Sequence, residues 1–176
     1  LGNAARFEEA ARNYTPYPYM ETNNPAVIFK AEGFVYPTTY QIDPDLSEKE
    51  ILAIMVQTFN AEMNKEKIPE LARQKEISLR DLINLASMVE LEAVFEEEQP
   101  RIAGVFLKRL RIFMPIQSDT TIQYLLGAQK EEVTIADTKI DSPYNTYQNQ
   151  GLPPGPIASP GMKAIKATLF PEESEY

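Results

Sequence analysis

Apolar positions recur at intervals of three and four through most of this chain, and polar caps mark where the runs begin. In "DPDLSEKEILAIMVQTFNAEMNK" (43–65), Ser47 precedes Glu50 by three residues, a capping box. Ile51, Ile54, Met55 and Phe59 follow as a helical stripe. Ser78 and Asp81 open a second run, "SLRDLINLASMVELEA", in which Leu82, Ala86, Val89 and Ala93 mark the centre of an apolar face. "EEEQPRIAGVFLKRLR" places acids first, Pro100 in the first turn and bases last, the order that complements a helix dipole. "SDTTIQYLLG" predicts a short helix capped by Ser118 or Asp119 and stopped at Gly127. "ARFEEAARN" predicts a short amphipathic helix near the start, and "MKAIKATLF" a final one after Pro160 and Gly161.

Three intervals break this rhythm. "YTPYPYMETNNP" reads as a loop. "AVIFKAEGFVYPTTYQI" (26–42) is β-branched and aromatic, broken by Gly33 and Pro37, and predicts two or three short strands. "DSPYNTYQNQGLPPGPIASPG" (141–161) is a long loop with five prolines and three glycines. Loops this long in compact domains are usually functional or disordered, and its Tyr, Leu and Ile content speaks against disorder. The pattern predicts a helix-rich α+β single domain with a small β-sheet near the N-terminus.

Composition narrows the chemistry. The 176 residues carry a net charge of −9, which disfavours a nucleic-acid partner. There is no cysteine and no histidine, so thiol catalysis, a His-based triad and a His-ligated metal are excluded. General acid–base work falls to Asp, Glu, Lys or Tyr. No Asp-x-Asp-x-Asp loop supports a metal site, and no apolar run is long enough to span a membrane.

The stretch "LASMVELEAVFEEEQP" holds five glutamates. Glu96, Glu97 and Glu98 suit the front of the helix that follows. Glu90 and Glu92 are isolated among apolar residues. Two residues apart is about 200° on a helix, so they cannot form the paired carboxylates of an ordinary glycosidase. They lie on opposite flanks of the apolar face, and periodicity leaves open which of them, if either, is a protonated acid against apolar neighbours. Arg109 falls on the core-facing side with Ile102, Val105 and Phe106, where a guanidinium needs a carboxylate or carbonyl partner. Glu90 and Asp119 are the candidate partners. Gln117 has no capping role and is free for a polar ligand. Tyr144, Asn145 and Tyr147 combine flat rings with an amide, which suits sugar rings.

"LASMVELEA", "PRIAGVFLKRL", "MPIQSDTT", "DSPYNTY", "GLPPGPIASPG" and "IKATLFP" occur in that order. Together with "AEGFVYPTTY" upstream, they resemble the endolytic murein transglycosylases of the YceG-like (MltG) family over roughly residues 30–171. The resemblance implies endolytic cleavage of peptidoglycan glycan strands, leaving 1,6-anhydro-N-acetylmuramic acid ends, with no cofactor and no metal. It implies one catalytic glutamate, and the carry-over falls on Glu92. Gln117, Ser118, Asp119, Tyr144, Asn145, Thr146 and Tyr147 would bind the glycan, with Glu90 and Arg109 as structural support. It implies that residues 1–176 are a catalytic domain on the extracytoplasmic face of a bacterial membrane. The anchor, a LysM-like subdomain and a C-terminal segment would lie outside this chain, and cell-wall synthesis or divisome proteins are possible partners. This sequence departs from the family at Leu91, usually Lys; at Ala93, usually Thr or Ser; and at Thr120, usually Pro. A non-catalytic glycan-binding or scaffold module is the alternative. A glycoside hydrolase would need a second carboxylate, for which Asp119 is the candidate. An aminodeoxychorismate lyase would need a lysine in a pocket, and none stands out.

Overall fold

The protein is described by a computed structural model covering residues 2–128, 130 and 132–173. Seven α-helices form: α1 (Ala4–Asn13), α2 (Glu48–Lys65), α3 (Ile68–Gln74), α4 (Leu79–Glu92), α5 (Gln99–Arg111), α6 (Asp119–Leu126) and α7 (Met162–Leu169). The expected caps are present. Ser47 Oγ accepts from Glu50 N at 3.3 Å while Ser47 N donates to Glu50 Oε2 at 2.9 Å. Ser78 Oγ accepts from Asp81 N at 3.0 Å. Gly127 ends α6 with φ 67°, a conformation that costs a side chain little only at glycine.

The expected β-sheet is absent: no strand occurs among the described residues, and the domain is mostly helical. The physical reason lies in where 26–42 sends its backbone groups. Lys30 N and Ala31 N donate to Arg12 O and Ala11 O at the end of α1. Glu32 N and Phe34 N donate three residues back, to Phe29 O and Ala31 O. A chain that closes on itself every three residues offers no ladder to a neighbour. Its aromatic and β-branched content still serves burial: Phe34 is fully buried and meets Phe59 edge-on with ring centroids 5.9 Å apart.

Helix α4 is the centre of the molecule. The sequence predicts one apolar face, but all eight residues from Leu82 to Val89 are buried. The cause is that two cores share this helix. Leu82, Ile83 and Ala86 join Phe34, Leu52, Val56, Phe59 and Ile165. Leu85, Met88 and Val89 join Ala103, Phe106, Ile116, Tyr144 and Ile157. On α2 the buried row is Leu52, Val56, Phe59 and Met63, which shares only Phe59 with the predicted stripe; α1 packs Phe7, Ala10 and Ala11 against the same core.

Polar side chains on a helix buried all round need partners. The proline-rich loop supplies three, although Asn84 Oδ1 is left without one among the described residues. Asn84 Nδ2 donates to Pro153 O at 2.7 Å, Ile157 N donates to Ser87 Oγ at 3.1 Å, and Gly161 N donates to Glu90 Oε2 at 3.2 Å. Three side chains spaced by three on the helix therefore hold three points spaced by four on the loop. The N-terminal segment closes on the loop from another side: Gly33 has φ 89°, and a Cβ there would lie 2.3 Å from Pro156 Cβ.

Three stability predictions follow from these contacts. Gly33→Ala combines a left-handed backbone with overpacking and should lower unfolding free energy by about 2–5 kcal/mol in denaturant titration. Gly127→Ala, also left-handed but with no atom within 4 Å of the new Cβ, should cost only about 1–2 kcal/mol. Ser87→Ala strands the buried Ile157 amide and should cost about 1–3 kcal/mol, with faster hydrogen exchange at that amide; an unchanged exchange rate would count against the loop anchor.

Candidate active site

Glu92 is the last residue of α4, where the helix leaves the core, and its side chain is half-buried. Ala93 follows in an extended conformation and ends the helix. The Glu92 carboxylate accepts from Ser118 Oγ, 2.7 Å from Oε2. Ser118 occupies the N-cap position of α6, yet its side chain makes no cap bond. Its hydroxyl goes to Glu92 and, at 2.7 Å, to Thr120 Oγ1. A hydroxyl from α6 thus stands at the acid that Ala93 has no hydroxyl to reach.

Ser118 is itself fixed by the long loop. Its backbone N donates to Thr146 Oγ1 at 3.1 Å, and its carbonyl accepts from Thr121 Oγ1 at 2.8 Å. Thr121 and Thr146 hydroxyls lie 2.9 Å apart. Gln117 N donates to Thr146 O at 3.0 Å, and Gln117 adopts φ 55°, left-handed for a residue with a side chain. That turn leaves the Gln117 side chain exposed at the edge of the site.

Asp119 and Tyr147 hold each other, the phenol donating to Asp119 Oδ1. Burial first, then the Asp119 hydrogen bond and the negative charges of Asp119 and Glu92, push the Tyr147 phenol up to about 12; Arg109 pulls the other way. Tyr147 therefore stays a neutral donor beside Glu92 at any physiological pH.

The other loop residues have internal partners. Asn145 is fully buried; its amide donates to Thr138 O and Ile140 O at 3.0 and 2.8 Å, and its Oδ1 accepts from Tyr147 N at 2.9 Å. Tyr144 is buried against Tyr124, with centroids 5.0 Å apart, and Tyr124 OH donates to Glu32 Oε2 at 2.7 Å. Burial raises the Glu32 carboxyl above its ordinary range, an effect this hydrogen bond opposes. A groove of about 410 Å³ opens here, with Leu91, Thr120, Tyr124 and Ile157 among its walls.

Glu90 and Arg109 both differ from the sequence-based pairing. Glu90 turns toward Gly161 N, at the start of α7. Arg109 forms no ion pair with Glu90 or Asp119 among the described residues; its partner is a carbonyl, Ile116 O, which lies just before Gln117 and Ser118. The residues sequence reasoning missed are Thr120, Thr121, Asn84 and Ser87. The hydroxyl doublet after Asp119 reads as helix-start chemistry, and only the fold sets Thr120 on the Ser118 hydroxyl and Thr121 on Ser118 O and Thr146. The spacing of Asn84, Ser87 and Glu90 in an otherwise apolar helix was the visible sign of the loop anchors.

A family model described as the YceG-like family matches residues 3–176. A protein named endolytic murein transglycosylase from Bacillus subtilis (strain 168) is 40% identical over 153 residues, covering 82% of this chain and 40% of that protein. One of the same name from Streptococcus pneumoniae serotype 2 (strain D39 / NCTC 7466) is 35% identical over 154 residues, covering 84% of this chain and 27% of that protein. A crystal structure of a YceG-like protein from Listeria monocytogenes superposes with a TM-score of 0.87 at 34% identity, covering 98% of this chain and 59% of that one. The chain thus spans less than half the length of these two named relatives. With the family's pattern running from residue 3 to residue 176, this chain belongs to the YceG-like family.

Proposed function

We propose that residues 1–176 form the catalytic domain of an endolytic murein transglycosylase, with Glu92 as general acid and then general base. The observation that carries this reading is the Ser118–Glu92 hydrogen bond. It places a positioned carboxyl at the end of a buried helix, with no ion pair among the described residues. The names of the Bacillus and Streptococcus relatives point to the same substrate, peptidoglycan.

The chemistry needs one carboxyl. Protonated Glu92 gives its proton to the glycosidic oxygen as the bond from C1 to that oxygen breaks. The 6-hydroxyl of the same N-acetylmuramic acid forms the new bond to C1, and its proton passes to the Glu92 carboxylate. Atoms balance without water, and the product carries a 1,6-anhydro end. A hydrolase would instead require a base to activate water. Asp119, the candidate for that role, is engaged by Tyr147. The exposed Gln117, with Tyr147 and Asp119, would meet the glycan. Ser118 and Thr146 would set the geometry behind them, with Asn145 and Tyr144 shaping the loop.

Such an enzyme works where glycan strands are, on the extracytoplasmic face of a bacterial membrane. Cell-wall synthesis proteins are the natural partners. No helix among the described residues is long and apolar enough to cross a membrane.

Glu92→Gln should keep the melting temperature and reduce release of anhydro-muropeptides from purified sacculi by at least about a hundredfold. Mass spectrometry of the wild-type products decides the class: anhydro ends fit the transglycosylase, and reducing ends would make the chain a hydrolase. Sacculus binding without soluble product would make it a binding module.

A further inference from the structure

Helix α5 ends in a turn suited to glycine, and phenylalanine occupies it. Phe113 N donates to Leu110 O at 3.2 Å, and Met114 N donates to Arg109 O at 2.8 Å. This double closure puts the residue after the cap in the left-handed region, where glycine is the usual occupant. Phe113 holds φ 56° there. A Cβ in that conformation crowds its own backbone, and a bulky side chain is rare in it. Burial does not offset the strain: Phe113 is 77% exposed, and Ile112 and Met114 beside it are 53% and 40% exposed. Phe95 is the contrast, since it is 65% exposed but sits at φ −120°, which any residue adopts. Lys67 and Glu76, also left-handed, are exposed residues with flexible charged side chains. The Phe113 ring therefore strains its own turn and gains little packing.

The turn is tied to the candidate site. Arg109 grips the loop twice: its carbonyl accepts from Met114 N, and its guanidinium donates to Ile116 O. The same guanidinium is near enough to Tyr147 to act on its phenol. Two residues past Ile116, Ser118 bonds to Glu92. Five residues of chain reach at most about 18 Å, so the Phe113 backbone lies within that distance of Ser118. Gln117, the other left-handed residue of this loop, lies between them in sequence with its side chain exposed. Strained residues of this kind gather where a ligand is held.

We propose that Phe113 is a glycan-binding residue, its ring a platform for the apolar face of a sugar seated beyond the bond cleaved at Glu92. The proposal rests on the reading of this chain as a peptidoglycan transglycosylase. A flat ring matches the flat face of a hexose, and a side chain with only two torsions is ordered at little entropic cost. The exposed Gln117 amide stands nearby for an acetamido group. A contact away from the reacting atoms is made equally before and in the transition state, so it acts on half-saturation rather than on the maximal rate. A membrane surface fits the ring less well. Glu172 and Glu173 share a groove with Lys75, Lys108 and Arg111, which leaves little excess charge to attract anionic lipid.

The test compares wild type, Phe113→Gly, Phe113→Leu and Phe113→Tyr in thermal melting and in muropeptide release against sacculus concentration. Peptide-free glycan strands serve as a second substrate. Phe113→Gly should raise the melting temperature by about 2–4 °C, because glycine relieves the left-handed strain. It should also raise the sacculus concentration for half-maximal release about three- to tenfold, with a much smaller change in maximal rate. The same shift should appear on peptide-free strands. Phe113→Leu, apolar but not flat, should bind as weakly as the glycine variant, and Phe113→Tyr should restore wild-type binding. A variant that is more stable and binds less tightly separates substrate contact from a structural role. Unchanged half-saturation in Phe113→Gly overturns the proposal. So does wild-type behaviour of Phe113→Leu, which marks general apolar contact, or an effect that vanishes on peptide-free strands, which assigns the ring to the stem peptide. Loss of binding to phosphatidylglycerol vesicles with sacculus kinetics unchanged overturns it in favour of a membrane contact. All four outcomes leave the transglycosylase reading standing; a wild type that releases no anhydro-muropeptides overturns that reading and this proposal together.

Discussion

A helix that meets no water over eight successive residues has no solvent face on which to leave its polar groups. That constraint on α4 shapes the rest of the molecule. Apolar neighbours come from both sides, which is why two cores rather than one are built on it. Asn84 and Ser87 must find partners inside, and a segment without regular structure of its own supplies them. The loop is therefore placed by the helix it covers, and that placement in turn sets Thr146 against Ser118.

The candidate site follows from the point where α4 emerges. One turn separates the last buried residues from Glu92, so the carboxyl is carried on a stem that cannot shift without disturbing both cores. Ser118 reaches it from α6, and Ser118 is held by the loop. Helix, loop and the start of α6 thus form a closed circuit around one acid. Arg109 adds the remaining tie, pinning Ile116 from α5.

Much of this was legible in the sequence where the controlling contacts are local. Ser47 with Glu50, Ser78 with Asp81, and Gly127 each act within four residues, and their helices begin or end where they say. The segment 26–42 misled for the opposite reason. Its β-like composition was real, but three-residue turns and two hydrogen bonds to the end of α1 took the backbone groups that a strand would have offered. The same limit explains the glutamates. Periodicity placed Glu90 and Glu92 on two flanks of one helix and could go no further. What separates them is long-range: Gly161, 71 residues on, for Glu90, and Ser118, 26 residues on, for Glu92. Arg109 was legible as a core-facing cation in need of a partner, but not as one satisfied by a carbonyl.

The three grips of α4 on the proline-rich loop bear on how this family can vary in length. Between successive grips the helix advances about 4.5 Å, whereas four residues of extended chain would reach roughly 13 Å. The loop therefore crosses from grip to grip with slack gathered into bends. Extra residues between Pro153 and Gly161 have room to widen a bend while leaving the grips where they are. The side chains that do the gripping have no such latitude, since each holds a particular loop group. The wall of the site is thus tolerant in contour length and intolerant in attachment.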